Sequence, residues 1–197
     1  LLEKNLNKLN FKNLRTLITN NKIILTIVAL FILFVSYLSI PTFFKQTDIV
    51  NKLNSELIEK LNLEFKFSQN IKYNIFPRPH FTSYKTSIFD DNYEISKIKK
   101  LKIYISLDNL FSLKNIEIQK IKIHEANFNL NNKNYNFFIN LQNNNFNDYK
   151  LEIINSNIFF RNIEDEVLFI NKILNMKYFY DYKEFKNITY SENEIFN

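Results

Sequence analysis

Few residues in this chain could carry chemistry, and they are scattered. Two histidines, His80 and His124, stand far apart in strand-like segments with no acid, base or nucleophile spaced to work with them, so each reads as a surface or packing residue. Asp90-Asp91 could hold a cation, but Asn92 follows and the triplet has the composition of a turn. Glu164-Asp165-Glu166 lacks the further oxygen ligands, at regular spacing, that a calcium loop needs, and reads as a solvated loop. Asn187-Ile188-Thr189 fits the glycosylation pattern, a triplet common by chance. The absence of cysteine excludes disulfides, thiolate catalysis and cysteine-ligated metals. The absence of glycine excludes both common nucleotide-binding glycine loops. The residues therefore point away from an enzyme and imply no cofactor and no metal.

What the chain does offer is apolar patterning. Ile23 to Phe44 contains no charged residue and is bracketed by Lys22 and Lys45. At about 1.5 Å per residue such a helix reaches roughly 30 Å, the thickness of a bilayer's hydrocarbon core. A cleaved signal peptide would have a shorter apolar region ending at a small-x-small site, and Ser36 and Ser39 have Phe34 and Tyr37 two places upstream. Residues 23–44 are thus expected to be a single transmembrane anchor. Lys4, Lys8, Lys12, Arg15 and Lys22 precede it against Glu3 alone, which assigns residues 1–22 to a cytoplasmic basic stub. Of the chain's 26 basic and 20 acidic residues, 21 and 19 remain outside that stub, a nearly neutral balance. Nucleic acid is not expected as a partner. The one basic cluster, Lys97, Lys99, Lys100 and Lys102, reads as a solvated face or an edge guard against aggregation.

Pro41 should end or kink the anchor helix. Over residues 45–62, Ile49, Val50, Leu53, Leu57, Ile58 and Leu61 recur at helical spacing, predicting an amphipathic helix packed on the succeeding sheet rather than lying on a membrane. From Leu63 the period becomes two. Leu63, Phe65 and Phe67, then, after a turn at Ser68-Gln69-Asn70, Ile71, Tyr73 and Ile75, suggest a hairpin, which Phe76-Pro77-Arg78-Pro79 then interrupts. Further strands are expected at His80–Phe89, Ile98–Ser106, Asn115–Leu130, Tyr135–Leu141, Tyr149–Arg161, Glu166–Asp181 and from Phe185 onward. Asn- and Asp-rich turns separate them, with an irregular or short helical connection at Leu107–Leu113. In Asn115–Leu130 the apolar phase shifts twice, implying bulges or two short strands. The fold class is mainly β, with residues 63–197 an elongated antiparallel sheet following one anchor and one amphipathic helix.

The order of these features over residues 49–130 resembles the N-terminal region of the AsmA family of bacterial envelope proteins. An anchor and an amphipathic helix lead to a Phe-Pro-x-Pro element at Phe76, Pro77 and Pro79. Strand residues Ile98 and Leu101 to Ile105 follow, then Leu110 and Leu113 in a connection, then Ile116, Ile118, Ile121 and Ile123. The family's usual turn glycines are absent here, and Ser83 and Ser87 interrupt the alternation after the prolines. The resemblance implies a groove-like β-sheet in the periplasm, anchored in the inner membrane by a single pass, with phospholipid as partner and a part in lipid transport or outer-membrane assembly.

A sheet with one uncovered apolar face could hold acyl chains, since burial of apolar area is worth roughly 25 cal/mol per Å². The candidate lipid-contact residues are Ile103, Ile105, Ile116, Ile118, Ile121, Ile123, Phe128 and Leu130. The same side chains would equally suit a closed core. An alternative of another class is an anchored adaptor that binds an envelope protein by strand addition, with no lipid cargo. The chain opens on Leu1 and stops within a strand-like stretch at Asn197, so it is expected to be part of a longer protein.

Overall fold

The computed structural model describes residues 22–67, 70–90, 93–131, 134 and 148–196. The chain divides into two compact units, residues 1–40 and 41–197. The first is helix α1, Lys22–Ser39, which tightens into a 3-10 turn at Ile40–Phe43 around Pro41, as the ring's missing N–H requires. Ile23 to Phe43 carries no charged residue, and Ile23, Phe31 and Leu33, which project to three different sides, are each more than half exposed. An apolar helix without a polar side is suited to lipid. Its hydroxyls fold back onto its own backbone: Thr26 Oγ1 donates to the Lys22 carbonyl at 2.9 Å and Ser39 Oγ to that of Val35 at 2.8 Å. The helix is long and apolar enough to cross a membrane once.

In the second unit, α2 (Gln46–Leu61) ends at Asn62, whose left-handed backbone (φ 55°) turns its N–H onto the Ile58 carbonyl. Ile49, Leu53, Leu57 and Leu61 form its buried stripe, while Ile58 stays exposed. Among the described residues one eight-stranded sheet comes next: β1 (Glu64–Phe67), β2 (Lys72–Asn74), β3 (His80–Asp90), β4 (Tyr93–Ile105), β5 (Ile118–Leu130), β6 (Lys150–Arg161), β7 (Val167–Asp181) and β8 (Lys186–Phe196). A turn and a short 3-10 helix, Leu113–Asn115, link β4 to β5.

Two pairings depart from the expected antiparallel meander. β1 and β2 do not form a hairpin with each other; both pair with β3 in one direction, Glu64–Phe67 along Phe89–Thr86 and Lys72–Asn74 along Thr82–His80. They are one interrupted strand, and Phe76-Pro77-Arg78-Pro79 closes the β2–β3 hairpin instead. Alternation sets which face a residue takes but not which strand lies beside it, so Ser68-Gln69-Asn70 read as a turn. The second departure is β6, which runs parallel to β5, Lys120 beside Lys150 and Leu130 beside Phe160. The connection over residues 131–149 is long enough for the crossover a parallel pair needs. The strand expected at Tyr135–Leu141 lies outside the described residues.

The alternation slips at one transverse line through β3 to β7. In β5 the buried set passes from Ile121 and Ile123 to Ala126 and Phe128; in β6 it passes from Leu151 and Ile153 to Ser156 and Ile158. The ladder skips Lys85, Lys99, Glu125, Asn155 and Leu174, which stand side by side across five strands. Lys85, Glu125 and Asn155 take left-handed backbone at φ 54°, 53° and 48°, a conformation that costs an ordinary residue about 1–2 kcal/mol. Ser156 staples this crease. Its Oγ accepts the Ala126 N–H at 3.0 Å, which has no partner in the β5–β6 ladder, and donates to the Ile154 carbonyl at 3.0 Å.

Candidate functional site

The eight candidate lipid-contact residues come together. Ile103 pairs with Ile121, Leu101 with Ile123, and Ile105 with Ile118, so β4 and β5 direct them to one face, which Phe128 and Leu130 extend beyond the crease. Ile116 joins them from the connection. All eight are buried, none more than 3% exposed. Here that face is a core, and α2 helps to close it. Gln46 accepts the Ile71 N–H at 3.1 Å and donates to the Ile71 carbonyl at 2.9 Å. Asn54 Oδ1 accepts the Phe65 N–H at 2.9 Å. At the far end Lys60 pairs with Asp148 at 2.6 Å, and the Tyr149 hydroxyl donates to the Lys60 carbonyl at 3.1 Å. The helix therefore reaches from β1 and β2 to the start of β6. Burial against Tyr178 pushes the Tyr149 phenol up, fixing it as a neutral donor.

The closure weakens toward β7 and β8. Ile173 and Tyr178 are still buried, but Phe160 and Phe169, stacked 4.3 Å apart, are only half-buried, and Ile195 is 69% exposed. Paired registers put these three side chains on the same face as Phe128 and Leu130.

The opposite face is polar and basic. Three neighbouring transverse rows can be read from the registers. The first is Tyr84–Lys100–His124–Ile154–Asn175. The second is Lys72–Thr82–Lys102–Lys122–Glu152–Lys177, and the third is Asn74–His80–Tyr104–Lys120–Lys150. Seven lysines share these rows with one carboxylate. Burial works to raise the Glu152 carboxyl, but Lys120 and Lys122, each at 3.0 Å, outweigh it and hold the group below the usual carboxylate range. Partial burial and the neighbouring Lys100 and Lys122 lower the Lys102 ammonium. Two depressions border this face. One of about 670 Å³ lies over the crease, between Lys85, Lys97, Lys99 and Glu125; the other, of about 560 Å³, has Arg78, Tyr104, Lys120, Asp148 and Lys150 in its wall.

The sequence signature of the AsmA family matches residues 19–161, a stretch that takes in α1 and ends with β6. The chain belongs to the AsmA family. No curated protein matches it. The matched region of this AsmA protein holds α1, α2, the sealed part of the apolar face and the basic rows, whereas β7 and β8 lie beyond it.

The remaining sequence candidates are placed individually. His80 and His124 lie on the basic face two strands apart. His80 stacks on Tyr104 at 4.9 Å, and its Nδ1 donates to the Arg78 carbonyl at 2.7 Å. Burial, then Lys122 and Lys100, lower the His124 ring; burial, then Lys102 and Lys100, lower His80 against the raising effect of its Arg78 bond. Asp90 closes β3 opposite Tyr93, and Asp91 lies outside the described residues. Glu164-Asp165-Glu166 is the β6–β7 turn, where Asn162 Oδ1 accepts the N–H groups of Glu164 and Glu166 at 3.0 and 2.9 Å. Among the described residues no three His, Cys, Asp or Glu side chains gather as metal ligands would. The edge-guard reading of Lys97 to Lys102 is corrected: β4 is an interior strand, so these lysines guard no edge. What sequence reasoning missed is the basic face as a whole. Its signal was the alternation of Lys100 and Lys102 with apolar residues and the matching Lys120 and Lys122, but only the register shows them opposed.

Proposed function

We propose that this protein is anchored in a bacterial inner membrane by α1, with its N-terminus in the cytoplasm and its sheet in the periplasm, and that it serves phospholipid transport or envelope assembly by holding acyl chains along its apolar face. The balance of charge around α1 and membership of the AsmA family support the location. The observation that carries the function is the change along a single apolar face. That face is sealed over β3 to β5, where α2 and the candidate residues form a core, and becomes accessible at Phe160, Phe169 and Ile195. An acyl chain laid against these side chains would remove their apolar area from water, while its headgroup stayed in solvent. Ile103 to Ile123 act as the rigid support, and the contact residues are the half-buried ones. On this reading the protein carries lipid and catalyses nothing.

Native mass spectrometry of the detergent-purified full chain tests the proposal. Phospholipid is expected to remain bound to the wild type and to be lost from Phe160→Ser/Phe169→Ser, while Tyr182→Ser, on the β7–β8 turn, retains it. Absence of bound lipid, or equal retention in all three proteins, would count against it.

A further inference from the structure

The basic rows break a rule of sheet construction. Like charges directly opposite one another on neighbouring strands are unfavourable, yet Lys102 faces Lys122 and Lys120 stands beside Lys150. Among the described residues, Lys72, Lys100, Lys102, Lys150 and Lys177 have no carboxylate within 4 Å, and Glu152 serves only Lys120 and Lys122. Lys122 lies between Lys102 and Glu152, so the single carboxylate cannot quench the row. Outside the N-terminal stub the chain is close to neutral, so this density is local. Where a local rule is broken without an internal gain, an external partner is the physical explanation to test.

We propose that this face docks onto a membrane surface rich in anionic phosphate headgroups. Strands about 4.8 Å apart and alternate residues about 7 Å apart give a closely spaced grid of cations, which complements in charge a surface crowded with phosphates. Arg78, Lys120 and Lys150 line the 560 Å³ depression at the end of β4 to β6 together with Asp148, whose carboxylate is held by Lys60, and extend the grid by one recessed position for a single headgroup. A single-stranded nucleic acid would want free aromatic faces. Here Lys100 lies over the Tyr84 ring at 5.8 Å, and His80 and Lys120 engage Tyr104. The proposal does not rest on acyl chains occupying the other face.

The full chain, held in phosphatidylcholine nanodiscs on a sensor surface, is exposed to liposomes of phosphatidylcholine alone or with 30% phosphatidylglycerol. Liposomes with phosphatidylglycerol are expected to bind, those without it are not, and binding should weaken steeply between about 50 and 300 mM salt. Each lysine near an anionic surface contributes about fivefold. Lys100→Gln/Lys102→Gln/Lys122→Gln should therefore lower partitioning on the order of 100-fold without lowering the thermal midpoint. The corresponding Arg variant keeps binding, and so does the control Lys114→Gln/Lys183→Gln/Lys186→Gln. The proposal is overturned by salt-independent binding, by equal binding of both liposomes, by equal losses in the two Gln variants, or by an oligonucleotide displacing the liposomes. Lipid co-purifying with the Gln variant should be unchanged, so this surface and the acyl-chain reading fail separately.

Discussion

Replacing Leu53 by alanine probes whether α2 is part of the core. Leu53 is completely buried in the middle of the helix, between Ile49 and Leu57. Deleting a buried leucine side chain costs about 2–5 kcal/mol, most where the surroundings cannot collapse into the cavity. Collapse is hindered here because Gln46 and Asn54 fix the helix to Ile71 and Phe65, and Lys60 fixes its other end to Asp148 and Tyr149. The loss should lie near the middle of that range or above, about 3–4 kcal/mol. For a folded unit of this size each kcal/mol moves the midpoint by about 2–4 °C, so a fall of about 6–16 °C is expected. Near-ultraviolet circular dichroism of the detergent-solubilised chain would follow it through its tyrosines. Asn51→Ala, on the exposed side of the same helix, should move the midpoint by less than about 2 °C. If Leu53→Ala matched that control, α2 would be a loosely held flap and the core assignment of the face beneath it would be wrong.

Two further outcomes are expected from the crease and the basic face. Ser156→Ala removes the hydroxyl that takes the Ala126 N–H, leaving a buried donor unsatisfied. A loss of about 1–3 kcal/mol in denaturant stability is expected, with Ser156→Thr milder than Ser156→Val. The histidines give a pH signature. Both rings are lowered from 6.5 in the folded state, so the unfolded chain binds protons more readily. Stability should be full above about pH 7 and decline as pH falls through 6.5 toward the depressed folded values. His124→Gln should flatten this decline in thermal midpoints measured from pH 8 to 5, and an unchanged slope would show that the ring's surroundings are not those described.

Much of the fold was legible because two periods dominate the sequence. The uncharged run from Ile23, the helical stripe Ile49, Leu53, Leu57 and Leu61, and the alternation of β3 to β8 each arise from local pattern. The connection after Leu107 was also readable, and in a chain without glycine Asn or Asp stands at four of the left-handed positions, Asn62, Asn109, Asn155 and Asp165. Lys85, Glu125 and Phe185 in that conformation were not, since their side chains carry no such preference. Partner choice was illegible for the same reason: alternation is blind to neighbours, so β1 with β2 passed for a hairpin and the parallel β6 for one more meander strand. The basic face was hidden by the near-neutral charge beyond the stub, because acidic residues in turns and on β8 balance the total without approaching the rows.

The crease is what lets one layer hold two chemistries. In a straight strand, a shift of one residue moves every side chain to the other face. Without the slip at Lys85, Lys99, Glu125 and Asn155, the segments beyond it would present Ile98, Phe128 and Ile158 among the lysines and send Lys97, Asn127 and Asn157 into the core. Because the slip falls on the same line in five adjacent strands, the apolar face stays continuous from Phe81 to Ile158 while the lysines stay together. The backbone energy stored at three left-handed residues is offset by that continuity. Of the two shifts of apolar phase within Asn115–Leu130, the first is a bulge at Gln119, which the β4–β5 ladder skips, and the second, from Ile123 to Ala126, was therefore one strand's share of a feature that belongs to the whole sheet.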